Sequence, residues 1–246
     1  MLTIQSKSIG LHLHHAMICP GLGVPPEKLR LVQNGAGGTF GYKFSPTIEA
    51  ILGAACLAVQ RPVSLVYTQY QNITYTGKRS PGYVETRLAA DKTGKLLGME
   101  TNWWIDHGPY SEFGDLLTTR QAQFTGAGYD IRNIRGLGKT VCTNHAWGSA
   151  FRAYGSPQAF LSSETAMDML AEKLGMDPLE LRLKNAYRPG ATTPTGQVPD
   201  VFVVDKLLEM IKPKWEEAKA RCKAFNLPGK KRGVGISIGI YGCGLD

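Results

Sequence analysis

Gly35-Ala36-Gly37-Gly38-Thr39-Phe40-Gly41-Tyr42-Lys43-Phe44 places four glycines in its first seven residues. It follows Lys28–Gln33 (KLRLVQ), whose polar–apolar alternation predicts a half-buried strand. It precedes Pro46–Gln60 (PTIEAILGAACLAVQ), whose Ala and Leu content predicts a buried helix with proline at its start. A glycine-rich loop between a strand and a helix can present backbone N–H groups to phosphate oxygens. Two templates for such a loop fail here. A GxGxxG dinucleotide fingerprint would need glycine at position 40, where Phe40 stands, and no acidic residue follows at the distance a ribose requires. The closing GK[ST] of a P-loop is also missing. On its own residues, the loop is equally a structural turn or a ligand cradle.

Working outward, Ile4–Met17 reads as a helix stopped by Pro20, Gly21 and Gly23. Val63–Tyr67 reads as a strand. Val84–Ala89 and Leu96–Ile105 form a predicted hairpin around Asp91-Lys92-Thr93-Gly94, and Ile134–Val141 is a further strand. A helix starts at Ser156 and stops at Gly175. Phe160, Met167, Leu170 and Leu174 share one face of it, and Glu164, Asp168 and Glu172 another. Asp177, Pro178 and Glu180 start a short helix that runs to about Asn185. Val204, Leu207, Ile211, Trp215, Ala218 and Cys222 make an apolar stripe on a longer helix, with a kink expected near Pro213. Gly233–Tyr241 reads as a closing strand. The predicted class is α+β, with mixed sheets and packed helices. The chain stops at Gly242–Asp246, where a return turn would form, so a truncated chain is expected.

Composition narrows the function. A chain of 246 residues can hold one large domain or two small ones, and 43% apolar with 20% charged residues is ordinary for a soluble globular protein. The net charge of +8 suits an anionic partner. The only tight basic run, Lys230-Lys231-Arg232, follows Pro228-Gly229 and reads as a solvated loop. No basic stripe with interleaved aromatics appears, so a nucleic-acid partner is not expected. Cys19, Cys56, Cys142, Cys222 and Cys243 show no CxxC spacing. That argues against an iron–sulfur or zinc site within the chain, and against a disulfide framework. No signal-peptide core and no apolar run of membrane-spanning length is present, so the expected location is cytoplasmic, with no membrane partner. His12, His14 and His15 lack a third ligand for a metal. His107 and His145 read as loop or supporting groups. Ser149 lacks the GxSxG elbow of a hydrolase.

A second glycine-bearing segment is Trp147–Gln158 (WGSAFRAYGSPQ), in which Arg152 offers a planar multi-donor fork to an anion. The two segments together carry a resemblance. GGTFGYKF resembles the GGxFGxK motif of the xanthine oxidase family, and SAFRAYGSPQ resembles that family's [AS]FRG[FY]GxPQ motif. Ile4–Lys7, Gly77-Lys78-Arg79-Ser80-Pro81, Asp106-His107-Gly108-Pro109-Tyr110 and Met169–Asn185 are similar to the molybdenum domain of its bacterial aldehyde oxidoreductases. The similarity runs essentially end to end.

The resemblance implies that residues 1–246 form the central part of a molybdopterin-binding domain, without its N-terminal iron–sulfur domains and C-terminal remainder. It implies a molybdenum cofactor, molybdopterin cytosine dinucleotide, contacted by Gly38, Thr39, Phe40 and Gly41 on one loop. Ala150, Phe151, Arg152 and Ala153 would contact it from the other. The metal would be held by the pterin dithiolene and by no protein ligand. Substrate would be lined by Phe44, Phe113, Leu116, Tyr154 and Leu245. Phe113, Leu116 and Leu245 are nearly as readable as ordinary core. Purine-oxidising relatives have a glutamate where Phe44 stands, so a small-molecule aldehyde is implied rather than a purine. Tyr154 keeps a hydroxyl to orient it. No catalytic residue is expected in the chain, because the family's general-base glutamate would lie beyond Asp246. The [2Fe–2S] clusters would sit in another domain or a partner subunit, and the full-length protein is expected to be a homodimer. Ala153 departs from the family's glycine. At positive φ an alanine there would cost about 1 kcal/mol. The implied reaction is hydroxylation of an aldehyde to a carboxylic acid with water as oxygen donor. Its rivals are a non-catalytic fragment, or a family hydroxylase acting on an N-heterocycle or carbon monoxide.

Overall fold

The structure, a computed structural model, describes residues 1–110, 113–126 and 128–242. It is α+β and divides into two compact units. The first comprises Met1–Pro81, Asp106–Gly114 and Thr140–Tyr154, and the second Gly82–Ile105, Asp115–Lys139 and Gly155–Asp246.

In the first unit, β1 (Leu2–Ser6) and β2 (Leu29–Gln33) pair in parallel through α1 (Leu11–Leu22). The helix expected over Ile4–Met17 is thus two elements. LTIQS alternates buried and exposed residues, which suits a strand with one covered face, and pairing to β2 satisfies its backbone. Pro20 does not stop α1, which ends at Gly23 with φ 63°, its amide bonded to the Pro20 carbonyl. Leu2, Ile4, Ile18, Cys19 and Leu29 form the core.

The helix predicted over Pro46–Gln60 is α2 (Glu49–Val59), and it is mostly not buried: only Glu49 and Gly53 are. A Cβ on Gly53 would lie 2.6 Å from Leu22 Cδ1, so the glycine lets α2 close on the core. Val63–Tyr67 is not a strand. It finds no ladder partner, and Val66 is 84% exposed. The helix α3 (Gln69–Tyr75) follows unpredicted, although its signal was present: Thr68 and Gln71 form a reciprocal capping box.

In the second unit, β3 (Gly82–Ala90), β4 (Leu96–Asp106) and β5 (Ile134–Val141) form one sheet in that order, with the expected hairpin in register from Gly82↔Ile105 to Ala89↔Gly98. Asp91 closes its turn by accepting from the amides of Thr93 and Lys95. A further helix, α4 (Gly114–Phe124), has no counterpart among the predicted elements. α5 (Ser156–Leu174) buries Met167 and Ala171 and stops at left-handed Gly175.

The polar face assigned to Glu164, Asp168 and Glu172 is corrected at Glu164, which is 7% exposed. Its Oε2 accepts from Arg182 Nε at 2.9 Å and from the Ile238 amide at 2.9 Å, and its Oε1 accepts from Tyr129 Oη at 2.6 Å. Arg182 lies on α6 (Pro178–Asn185), is fully buried, and also pairs with Asp168 at 2.8 Å. Gly233–Tyr241 makes no ladder. The segment instead buries Ile238 in the core, with Ile236 and Ile240 packed beside it.

The helix α7 (Val204–Lys223) runs unbroken through Pro213. Val204, Leu208 and Trp215 are its buried residues, whereas Leu207 of the predicted stripe is 58% exposed. Asp177 fastens α7 to α6. Its carboxylate caps α6 through the Leu179 amide (2.8 Å) and accepts from Trp215 Nε1 (3.0 Å) and Lys219 Nζ (2.6 Å). Burial pushes its pKa up, but the bonds from Lys219, Trp215 and Leu179 outweigh burial and hold it below the ordinary aspartate value. A depressed folded pKa adds stability above the unfolded value of about 4 and loses it as pH falls through the folded one. Asp177→Ala is therefore expected to cost about 1–2 kcal/mol at neutral pH. In urea melts its deficit against the parent should close as the pH drops below about 4.

Candidate functional site

Gly35–Phe44 and the Trp147–Tyr154 part of the second segment fall in the first unit and touch backbone to backbone. Gly41 has φ 84°, and a Cβ there would lie 2.7 Å from the carbonyl carbon and oxygen of Ala150 and from the amide nitrogen of Phe151. Only a residue without a side chain permits this approach. Phe40 also has positive φ (52°), unusual for a bulky residue and of order 1–3 kcal/mol in strain. Its ring is 56% exposed, and the Arg152 guanidinium sits 5.8 Å from the ring centre.

The second loop rests on two other segments. The Lys78 amide donates to the Trp147 carbonyl (3.1 Å) and the Ser149 amide to the Lys78 carbonyl (2.9 Å). The Gly148 amide donates to the His107 carbonyl at 3.0 Å. Ser80 Oγ is 2.8 Å from His107 Nδ1, and a Cβ on Gly148 would fall 2.2 Å from that Oγ. Arg79 Nη2 donates to the Arg152 carbonyl, and its guanidinium lies 4.8 Å from the Phe151 ring centre. Partial burial pulls its pKa below the ordinary arginine value. Gly77–Pro81 and Asp106–Gly108 thus brace the loop, and Arg79 locks it. The family resemblance covers these stretches and implies no task for them.

The amides of Gly37, Gly38, Thr39, Phe40, Ala150, Phe151 and Arg152 donate to no described residue. The loops therefore leave backbone donors unspent beside an arginine fork, a donor set that suits the anionic and polar edges of a molybdopterin group. Among the described residues, no three His, Cys, Asp or Glu side chains converge to hold a metal.

Ala153 takes φ 62°. Ala153→Gly is expected to raise stability by up to about 1 kcal/mol, the relief of left-handed strain less the entropy glycine adds to the unfolded chain. A thermal melt that shows no gain would contradict this.

Of the expected substrate-lining residues, Phe44 ends the 3-10 turn Tyr42–Phe44 and is half-buried. Half-buried Phe113 and Tyr154 meet: Tyr154 Oη donates to the Phe113 carbonyl. The Tyr154 proton is therefore committed, and toward a ligand its oxygen can only accept. Leu116 lies on α4 in the second unit and is 45% exposed, which corrects its reading as core. Leu245 lies outside the described residues. An open depression of about 540 Å³ in the second unit, lined by Arg87, Met99, Arg132 and Arg135 among others, contains none of the motif residues.

Residues 1–186 match the molybdopterin cofactor-binding domain family. The chain belongs to that family, within the xanthine oxidase type. It is 61% identical over 243 residues to aldehyde oxidoreductase of Megalodesulfovibrio gigas, covering 99% of the chain and 27% of that protein. It is 31% identical over 232 residues to the nicotinate dehydrogenase large molybdopterin subunit of Eubacterium barkeri, covering 94% of the chain and 53% of that subunit. The solved aldehyde oxidoreductase from Desulfovibrio gigas superposes with TM-score 0.86 at 60% identity, covering 92% of this chain and 25% of that one. The chain thus spans about a quarter of the length of its aldehyde oxidoreductase relatives. No helix of the described residues is long and apolar enough to cross a membrane.

Proposed function

We propose that the chain supplies part of the cofactor and substrate site of a molybdenum-dependent aldehyde oxidoreductase. The observation that carries this is the contact of Gly41 with Ala150–Phe151, beside an apolar Phe44. A molybdenum–pterin group, in the cytosine dinucleotide form, would supply the two-electron redox chemistry. Gly38–Gly41 and Ala150–Ala153 would hold it, the amides of Gly38, Thr39, Phe40, Ala150, Phe151 and Arg152 and the Arg152 side chain taking its anionic and polar edges. The balanced reaction is aldehyde plus water to carboxylic acid, two protons and two electrons. The electrons would leave through [2Fe–2S] clusters in another domain or subunit. A glutamate beyond Asp246 would serve as general base. The full-length protein would be a cytoplasmic homodimer.

Phe44, Phe113 and Tyr154 would form the apolar wall of the substrate passage. An apolar residue at position 44 favours an aldehyde over a purine, since a purine's ring nitrogens would be buried without partners there. In the full-length holoenzyme, Phe44→Ala is expected to lower kcat/KM for benzaldehyde by about 10–100-fold, chiefly through KM. Preferred turnover of hypoxanthine by the parent enzyme would overturn the aldehyde assignment.

A further inference from the structure

The turn that presents Phe44 is held from one side by Lys7 and Ile9, which lead into α1, and by His14 in its first turn. Three successive carbonyls each receive a donor from these residues. The Lys43 carbonyl accepts from the Ile9 amide at 3.4 Å. The Phe44 carbonyl accepts from His14 Nε2. The Ser45 carbonyl accepts from Lys7 Nζ at 2.8 Å. Within the turn, the Phe44 amide bonds the Gly41 carbonyl at 3.0 Å, so the carbonyl anchors and the Gly41 contact act on one short piece of backbone.

His14 stands out among the three donors. It is fully buried, and its Nδ1 has no hydrogen-bond partner among the described residues. A carbonyl can only accept, so Nε2 carries the proton and the ring makes this one bond. A buried imidazole whose one bond among the described residues goes to the backbone of Phe44 acts on that residue's position. The Phe44 ring sits at the start of α1: a Cβ on Gly10 would touch its Cδ1 at 3.8 Å. The ring's reach is thus set by where α1 holds the turn.

We propose that His14 is a positioning residue that sets substrate selectivity through Phe44. The proposal rests on the reading of Phe44 as a wall of the substrate passage. Without the imidazole, the half-buried Phe44 carbonyl loses the donor that it has among the described residues. The turn then shifts to find one, and the ring moves with it. A misplaced wall affects aldehydes that fill the passage more than those that do not.

The test uses the full-length holoenzyme and two substrates, benzaldehyde and acetaldehyde, with binding of benzoate as a readout apart from turnover. His14→Leu should lower the benzaldehyde-to-acetaldehyde ratio of kcat/KM by about five-fold or more, carried in KM, and weaken benzoate to a similar degree. His14→Gln, whose amide can still donate to the Phe44 carbonyl, should restore both to within about two-fold. Should His14→Leu not accumulate, His14→Asn, whose shorter amide stops short of the carbonyl, carries the same expectation. Phe44→Leu is the reference. If Phe44→Leu moves the ratio and His14→Leu does not, the role of His14 is wrong while that of Phe44 stands. An equal loss for both aldehydes, or a failure of His14→Gln to rescue, also overturns it. If Phe44→Leu leaves the ratio unchanged, the reading of Phe44 fails and the proposal falls with it.

Discussion

Gly41→Ala in the full-length protein is expected to abolish cofactor loading and lower aldehyde turnover by at least about 100-fold. Three backbone atoms of Ala150 and Phe151 lie 2.7 Å from where the new Cβ must go, and backbone cannot step aside as a flexible side chain can. Overpacking of this kind costs about 1–3 kcal/mol. A left-handed alanine adds roughly 1–2 kcal/mol. The cheapest relief is separation of the two loops, which would pull Gly38–Gly41 away from Ala150–Ala153. Gly35→Ala is the control. Its Cβ would meet nothing within 4 Å and its φ is not positive, so it should stay within about 0.5 kcal/mol of the parent. Molybdenum content by metal analysis separates the two. A Gly41→Ala protein that loads a full complement of metal would show that the loop contact does not shape the site.

Glu164→Leu should be the most damaging change in the second unit, at about 3–5 kcal/mol. It leaves the fully buried Arg182 with Asp168, itself more than half exposed, as its remaining carboxylate among the described residues, beside the carbonyls of Pro178 and residue 164. It also strips the acceptor from Tyr129 Oη and from the Ile238 amide. Adding Arg182→Met removes the unpaired charge and should recover part of the loss. Recovery should be incomplete, because the tyrosine hydroxyl and the amide remain unpaired. Denaturant midpoints of the two single variants and the double variant give the coupling. A single variant within about 1 kcal/mol of the parent would mean that the network adds little.

Elements with strong local signals were legible. The β3–β4 hairpin, β5, α5 with its Gly175 stop and α6 with its Asp177 cap all follow from patterns contained within their own residues. Those that failed depended on neighbours. LTIQS is a strand because β2 lies beside it, and Val63–Tyr67 is not one because nothing does. Val204 and Trp215 of the expected stripe are buried, but Leu207 remains exposed and its neighbour Leu208 takes the core position. The capping box that starts α3 is local, formed by Thr68 and Gln71.

The candidate site divides along the same line. By itself the sequence determined the family, through two glycine-bearing motifs and an end-to-end similarity, and it marked Gly41, Phe44 and Arg152 as residues of interest. It also raised the cost of alanine at position 153, conditional on a φ that no local pattern reveals. The tertiary structure alone decided that Gly41 must be glycine because the Ala150 backbone fills the space of its Cβ. It alone put Glu164 in the core against Arg182, and gave the Phe44 carbonyl to His14. Periodicity and propensity act over a few residues of chain. A steric contact, a buried ion pair or a carbonyl anchor joins groups distant in sequence, and exists only once the fold has brought them together.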